Sequence, residues 1–278
     1  MSQVSQQDAK AVLLADLKAR IAKPSNGFDV AAGGGRVVPL GVDAIDAALP
    51  GRGLKAGALH EVTADDYRDM GAATGFLAAL AVRLAEGGFS PVLWCGVAQP
   101  PFDIGALYGP GLASFGLDPA RLVLVHPASA TDCLWAMEET LRSGAFAVVV
   151  GEIDGRVSAL DLTATRRLQL AAEEKGVPAL LFTGHEGGAA SAAATRWRVS
   201  ALPSSLIPDT DKFGGLIEAP GWRMALTRSR GGVPGAWNVT WHARDRRFML
   251  ADNKMLSSAG EKPYIPAGKR AVPLRQSA

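Results

Sequence analysis

Three aspartates occupy a loop that otherwise has the outline of a phosphate-binding site. Residues 57–88 predict a short strand at 58–62, then the loop, then an alanine-rich helix. A loop that binds nucleotide phosphates between such elements carries the pattern G-x-x-x-x-G-K-[ST], and its lysine neutralises phosphate charge. No lysine occurs between Lys55 and Lys175. The loop contains three acidic residues instead, Asp65, Asp66 and Asp69.

Acidic side chains in this loop oppose the binding of a triphosphate. At partly screened distances each carboxylate repels the phosphates by ~1 kcal/mol or more. A carboxylate near the N-terminus of a helix is favourable by ~0.3–1 kcal/mol. We therefore predict that the three aspartates satisfy the helix N-terminus and take the place of a nucleotide. Gly71 is followed by Ala72-Ala73, where lysine and serine or threonine are expected. The alternative hypothesis is that Arg68, the one cation of the loop, replaces the lysine.

The rest of the sequence offers no second constellation of reactive residues. No H-E-x-x-H or similar metal-ligand spacing occurs, and no G-x-S-x-G nucleophile pattern. Cys95 and Cys133 form no close metal-ligand pair. The sequence therefore predicts no catalytic residue, no metal and no cofactor. Structural roles are expected for the scattered histidines, which are His60, His126, His185 and His242.

Strands and helices alternate along the middle of the chain. The segments "SPVLWCG", "AFAVVVG" and "VPALLFTG" are apolar throughout, which is typical of parallel strands covered on both faces. After Thr195, "TRWRVSAL" and "GWRMALTRSRGGVPGAWNVTWHA" alternate polar and apolar residues and predict antiparallel strands. The predicted fold class is α/β, with a mostly parallel sheet covered by helices on both faces and antiparallel strands added at its C-terminal edge.

Two segments resemble the core of RecA recombinases. "VPLGVDAIDAALPGRGLKAGALHEV" is similar to the beginning of that core, and "LTRSRGGVPGAWNVTW" is similar to its late hairpin. The resemblance covers roughly residues 37–249 and implies a RecA-like core. The loop "HEGGAASAAAT" is short and uncharged after its glutamate, so it offers no phosphate contacts for recombinase-type DNA binding.

Other positions that the resemblance marks as functional also depart from a nucleotide-hydrolysing enzyme. The strand that would carry a Mg²⁺-binding aspartate has Gly151 there, and Glu152 is expected to point to the wrong face of the sheet. The position of the catalytic glutamate falls on 97–99, which contains no acid. His185 lies near the place of the glutamine that senses the γ-phosphate. Together these departures predict that the chain is not an enzyme, and an ATPase with an atypical phosphate loop is the alternative.

A RecA-like core without nucleotide chemistry, behind a separate N-terminal helix, resembles the ImuA family. The resemblance implies a non-catalytic adaptor or regulator in the SOS response to DNA damage, acting in error-prone translesion synthesis. The partners it implies are an ImuB-type polymerase-like protein and an error-prone polymerase III α-subunit. Contact with RecA itself is a further hypothesis, because a RecA-derived shape could cap or disturb a RecA filament. A SulA-like inhibitor of cell division is an alternative, although SulA-type chains are shorter and lack the arginine-rich hairpin.

Two surfaces are candidates for binding these partners. Residues 8–22 predict an amphipathic helix whose apolar stripe includes Leu13, Leu17 and Ile21. The stripe packs either on the chain's own core or on another subunit. The second surface is basic, with six arginines and a single acid between Trp222 and Arg247. Its predicted contact residues for an acidic partner, or for weak DNA binding, are Arg223, Arg228, Arg230, Trp237, Arg244, Arg246 and Arg247. A solvated edge strand and a core tryptophan are the alternatives.

The predicted organisation has four parts. Residues 1–24 form an interaction helix, 25–36 a linker, 37–250 the core and 251–278 a basic tail without a core pattern, for which disorder is expected. The formal net charge of +2 does not itself indicate a nucleic-acid-binding protein. No apolar run approaches the ~18–20 residues that a membrane span needs. We therefore expect a cytoplasmic protein that associates with the nucleoid under DNA damage.

Overall fold

The computed structural model describes most of the predicted core. The ranges it describes are 35–85, 88–97, 105–186, 190–203 and 219–251. The predicted N-terminal helix with Leu13, Leu17 and Ile21 lies outside them, as do most of the predicted linker and of the basic tail. Within these ranges no helix is both long enough and apolar enough to cross a membrane.

A nine-stranded sheet forms the centre of the described structure, in the order β11-β10-β9-β8-β3-β7-β6-β4-β5. A separate antiparallel pair, β1 (Val37–Val38) and β2 (Leu54–Lys55), precedes it. The sheet strands are β3 (Leu59–Ala64), β4 (Val92–Gly96), β5 (Leu122–Val125), β6 (Val148–Glu152), β7 (Ala179–Phe182), β8 (Thr195–Ala201), β9 (Gly221–Ser229), β10 (Gly235–His242) and β11 (Arg247–Leu250).

The change from parallel to antiparallel pairing occurs at β8. Strands β3 to β8 pair in parallel, and β8 lies beside β3 with Val62 opposite Trp197. Strand β8 then pairs antiparallel with β9, which continues into β10 and β11. The alternating pattern of "TRWRVSAL" predicted an antiparallel strand. That prediction is wrong on the β3 side, because an alternating pattern reports a half-buried strand and not its direction.

Helices lie between these strands along the chain. They are α1 (Asp43–Asp46), α2 (Met70–Leu84), α3 (Gly109–Ser114), α4 (Ala130–Ser143) and α5 (Leu162–Lys175), with 3₁₀ turns at Tyr67–Asp69 and Pro119–Arg121. Side chains cap the two long helices after β5 and β6. Ser129 accepts a hydrogen bond from the backbone of α4, and Asp161 does the same for α5. Gly144 and Gly176 end these helices at φ of 67° and 70°, a left-handed conformation that favours glycine.

The sheet separates two apolar clusters. Helix α2 packs on one face, where its buried residues meet Trp94, Trp197 and Trp222. Helices α4 and α5 cover the opposite face and pack on the alternate strand residues, including Leu93 and Val149. The predicted α/β class, with helices on both faces of a mostly parallel sheet, is confirmed. This arrangement brings the acidic loop to the carboxyl ends of the parallel strands, where ligand sites of such sheets occur.

Candidate functional site

The acidic loop joins β3 to α2 in a few residues. The strand ends at Ala64 and the helix begins at Met70. If Ala64 takes the first glycine position of the phosphate-loop pattern, the eight positions end at Gly71. Asp69 then replaces the second glycine and Met70 replaces the lysine. From the sequence, Gly71 was matched to the second glycine of the pattern. The observed ends of β3 and α2 instead match the second glycine to residue 69, two positions earlier.

In that frame Met70, which is fully buried, takes the position of the lysine. Its side chain belongs to the apolar cluster between α2 and the sheet. A thioether fills irregular core space but cannot neutralise phosphate charge. The helix therefore begins with a hydrophobic anchor where a phosphate-binding loop presents its cation.

The aspartates have different partners, and only one of them caps as predicted. Asp66 Oδ1 accepts a hydrogen bond from the backbone N–H of Arg68 at 3.0 Å and caps the 3₁₀ turn. Asp65 Oδ1 lies 3.5 Å from a guanidinium nitrogen of Arg198 on β8. The Arg68 side chain is exposed and makes no ion pair with the described residues. Asp66 thus has its partner within the loop, and Asp65 has its partner on β8, the strand beside β3 in the sheet.

Asp69 stands at the N-cap position of α2 but does not cap it. Its Oδ1 accepts a hydrogen bond from the backbone N–H of Ala201 at 2.8 Å, at the end of β8. Burial raises the pKa of Asp69, the Ala201 hydrogen bond partly offsets this, and the charges of Asp65 and Asp66 raise it further. The capping role predicted for Asp69 is therefore wrong, because the strand end offers a competing donor. Asp69 ties the loop to β8 instead.

The two residues at the end of β6 face opposite sides of the sheet. A Cβ added at Gly151 would overlap the Sδ of Met137, a buried residue of α4. Glu152 points to the other side and lines the same pocket as Thr74 of α2. The prediction that Glu152 points to the wrong face is therefore incorrect. The alternation along the strand assigns the acid to the α2 side and leaves glycine where α4 packs closely.

Glu152 is partly buried, and its Oε1 atom is enclosed without a well-formed hydrogen bond. Burial raises its pKa, while the indole N–H of Trp94 and the charge of His126 lower it by smaller amounts. The Trp94 contact falls outside hydrogen-bond geometry, so Trp94 Nε1 and Glu152 Oε1 have no hydrogen-bonding partner among the described residues. No group of three or more His, Cys, Asp or Glu side chains in the described part of the chain could hold a metal ion.

His185 lies beside the loop, in a group of charged residues at the ends of β6 and β7. Its ring meets the ring of Tyr67 edge-on, with centroids 5.6 Å apart. Arg156 lies 2.8 Å from Asp154 and 3.1 Å from Glu186, and it lowers the pKa of Asp154. Asp154 is therefore held in an ion pair at the surface. Of the 97–99 segment predicted at the catalytic glutamate position, only residue 97 is described.

A pocket of about 690 Å³ opens beside the first two turns of α2. Gly71 and Thr74 of α2 form one side, and Trp94 and Glu152 of the sheet form the floor. The remaining walls are mostly apolar and include Leu107, Tyr108, Leu112, Phe115, Leu124 and Trp222. The sequence analysis did not find this pocket, because its walls come from segments far apart in the chain. Glu152, which follows the apolar residues of β6, was the one local feature of the sequence that pointed to this pocket.

The structure divides the predicted basic surface into two groups. Arg228 and Arg230 lie where β9 turns into β10, and Arg244, Arg246 and Arg247 lie at the opposite end of β10. Eight residues of β10 separate the two ends, which corresponds to about 24 Å. The Arg228 guanidinium donates a hydrogen bond to the Ser191 carbonyl at 2.9 Å. The predicted arginines therefore do not form one continuous patch.

Two further predicted contact residues are partly covered. Arg223 on β9 is half-buried and pairs in register with Asn238. Trp237 is partly buried and packs against the apolar cluster on the α2 side. Trp237 thus contributes to the core, which was the alternative to a role in partner binding.

The cysteines are closer than their sequence spacing indicated. Cys95 on β4 and Cys133 on α4 are both free and buried, and their Sγ atoms lie 3.2 Å apart. They belong to the apolar cluster under α4 and α5, on the opposite side of the sheet from the acidic loop.

Comparison with known proteins shows the family to which the chain belongs. The chain is 36% identical over 213 residues to Protein ImuA of Caulobacter vibrioides strain NA1000, covering 72% of this chain and 82% of that protein. The same values hold for Protein ImuA of a second strain, ATCC 19089. The chain belongs to the ImuA family. No family model matches the sequence.

Solved structures place this ImuA-family chain among the RecA-like folds. A crystal structure of the RadB recombinase superimposes with a TM-score of 0.50 at 15% sequence identity. The alignment covers 77% of this chain and all of that chain. At this identity the similarity shows the fold alone. The RecA-like core predicted from the two resembling segments is thereby confirmed.

Proposed function

We propose that this ImuA-family chain is a non-catalytic adaptor or regulator in damage-induced, error-prone translesion DNA synthesis. Membership of the family and the RecA-like fold support a role in damage-induced mutagenesis. The site supports the non-catalytic part of the proposal. A RecA-like core that cannot bind nucleotide can still present its surfaces to other proteins.

One observation carries the proposal that nucleotide chemistry is lost. Met70 is fully buried at the first residue of α2, where the lysine of a phosphate loop would stand. Around it the loop presents the carboxylates of Asp65, Asp66 and Asp69, one of which is bound to the end of β8. Glu152 is the one carboxylate among the described residues that line the pocket, and no lysine is among them. A triphosphate with Mg²⁺ would meet net negative charge here.

The partner we propose first is an ImuB-type polymerase-like protein. Binding to an error-prone polymerase III α-subunit, and contact with RecA that alters its filaments, are further parts of the same proposal. The N-terminal segment and the exposed arginines Arg244, Arg246 and Arg247 are the surfaces proposed for these contacts. The complex would form in the cytoplasm and move to the nucleoid when DNA is damaged.

A capture experiment from DNA-damaged cells tests the adaptor role. The tagged full-length chain is compared with a variant lacking residues 1–24 and with one lacking residues 252–278, each checked for an unchanged thermal unfolding transition. We expect the full chain to retain the ImuB-type protein, and at least one deletion to lose it while remaining folded. Retention of no polymerase-like protein by the full chain would contradict the proposal.

A further inference from the structure

The pocket beside α2 contains a partly buried acid, Glu152, with no lysine or arginine beside it. Glu152 Oε1 has no hydrogen-bonding partner among the described residues, and the pocket floor also contains the unpaired indole nitrogen of Trp94. None of the described residues that line the pocket is a lysine or arginine. His126 is the one lining residue that could carry a positive charge, and it lies exposed at the rim after β5. The acid therefore faces a mostly apolar cavity in which the exposed His126 offers the one positive charge among the described lining residues.

Burial of an unpaired carboxylate is costly unless a cation or a proton joins it. Gly96 leaves room beside this carboxylate, since a Cβ added there would lie in ordinary van der Waals contact with Glu152, 3.5 Å from its Oε2. The accessible aromatic rings of the lining are those of Tyr108 and Phe115, with the buried Trp94 and Trp222 behind them. Planar cations with several N–H donors suit such a site, because they pair with a carboxylate through two hydrogen bonds and stack on aromatic faces.

We propose that this pocket binds a planar cation, a guanidinium or amidinium group carried on an apolar body, with the cation against Glu152. The volume of about 690 Å³ is in the range of small-molecule sites. Two sources supply this chemistry. One is a free small molecule, and the other is an arginine side chain from a partner protein. The site is separate from the acidic loop, since Asp65, Asp66 and Asp69 do not line it.

Calorimetric titration of the full-length chain with benzamidine tests the proposal. Benzoate, which has the same shape and the opposite charge, is the ligand control. We expect benzamidine to bind one site per chain and benzoate not to bind. Glu152→Gln should weaken benzamidine binding roughly tenfold to a hundredfold, which corresponds to losing hydrogen bonds to a charged group. Asp154→Asn, two residues along and outside the pocket, should leave binding unchanged.

A second variant blocks the pocket without touching the carboxylate. A Cβ at Gly71 meets no atom within 4 Å, so Gly71→Leu should fold and fill the space beside α2. It should also weaken benzamidine binding. Titration with N-acetyl-arginine-N-methylamide separates the sources: binding equal to or tighter than benzamidine assigns an arginine side chain, and weaker binding assigns a free ligand. No benzamidine binding at millimolar concentration, or equal binding by wild type and Glu152→Gln, would overturn the proposal.

Discussion

At the scale of single residues, the loop between β3 and α2 lies where a phosphate-binding loop would lie, but it carries aspartates and no lysine. The sequence predicted the missing lysine and the excess of acid. It could not show that Met70 stands at the lysine position, because that depends on where β3 ends and α2 begins. It also could not assign each aspartate a partner, since the Ala201 N–H that binds Asp69 belongs to a strand 132 residues away in the chain.

Restoring the lysine at Met70 should harm the fold without restoring the site. Met70→Lys places an ammonium in the fully buried cluster between α2 and the sheet. We expect a loss of about 3–5 kcal/mol in the free energy of unfolding, as for an uncompensated buried charge. Urea unfolding measures this, with Arg68→Lys at the exposed loop position as the control that changes stability by less than about 0.5 kcal/mol. A stable Met70→Lys chain that binds ATP would contradict the assignment.

Asp69 should make a pH-dependent contribution to stability. Its pKa is raised in the folded chain, first by burial, so its charged form carries a cost that appears above the ordinary aspartate pKa and is complete above the raised one. Asp69→Asn removes this cost and can still accept the Ala201 hydrogen bond. We expect the variant to be more stable than wild type at neutral pH, by under about 1 kcal/mol. The gain should vanish below the ordinary pKa of aspartate, as thermal unfolding across pH would show, and a gain that grows in acid would refute this explanation.

At the scale of elements, the apolar periodicity of the sequence predicted where the strands lie better than it predicted which helix packs on each strand face. The apolar runs that became β4, β6 and β7 predicted a covered parallel sheet, and the structure confirms it. The same patterns did not reveal which face of β6 meets which helix. Gly151 lies against Met137 of α4, and the acid beside it points into the pocket. Strand faces are set by neighbours distant in sequence, so local pattern alone left this open.

An aspartate at Gly151, where a Mg²⁺-binding acid was sought, should not be tolerated. Its side chain would overlap Met137 and place a charge in the apolar cluster under α4 and α5. We expect a loss of about 3–5 kcal/mol in the free energy of unfolding. The matched control is Gly71→Asp, in open space in the first turn of α2, which should change stability by no more than about 0.5 kcal/mol. Equal effects of the two substitutions would show that the packing of β6 on α4 is misassigned.

The separation of the arginines into two groups has a consequence for DNA binding. The Arg228 guanidinium donates a hydrogen bond to the Ser191 carbonyl, whereas Arg244 and Arg246 are exposed in the turn after β10 and Arg247 is exposed at the first residue of β11. If the chain binds DNA, substituting these three exposed arginines by alanine should lower the slope of log affinity against log salt by up to about 3, near 0.9 for each phosphate that is no longer neutralised. Arg228→Ala should leave that slope unchanged. A larger effect of Arg228→Ala would place the DNA-binding surface at the other end of the hairpin.

At the scale of the whole molecule, the chain keeps the RecA-like fold, with acidic and apolar side chains in the loop between β3 and α2. The fold class, the late hairpin and the lost loop could be predicted from sequence, because each leaves a local pattern. The pocket beside α2 could not, since its walls come from at least five separate segments. The division of the chain into a core, a linker and terminal interaction segments stays a prediction.

Calorimetric titration of the full-length chain with ATP and Mg²⁺ tests most directly whether this core has given up its nucleotide. The account predicts no saturable heat at millimolar ATP, with or without DNA, and no release of phosphate above the rate in buffer. Saturable, Mg²⁺-dependent binding of ATP that is strengthened by neutralising Asp65 and Asp66 would contradict it.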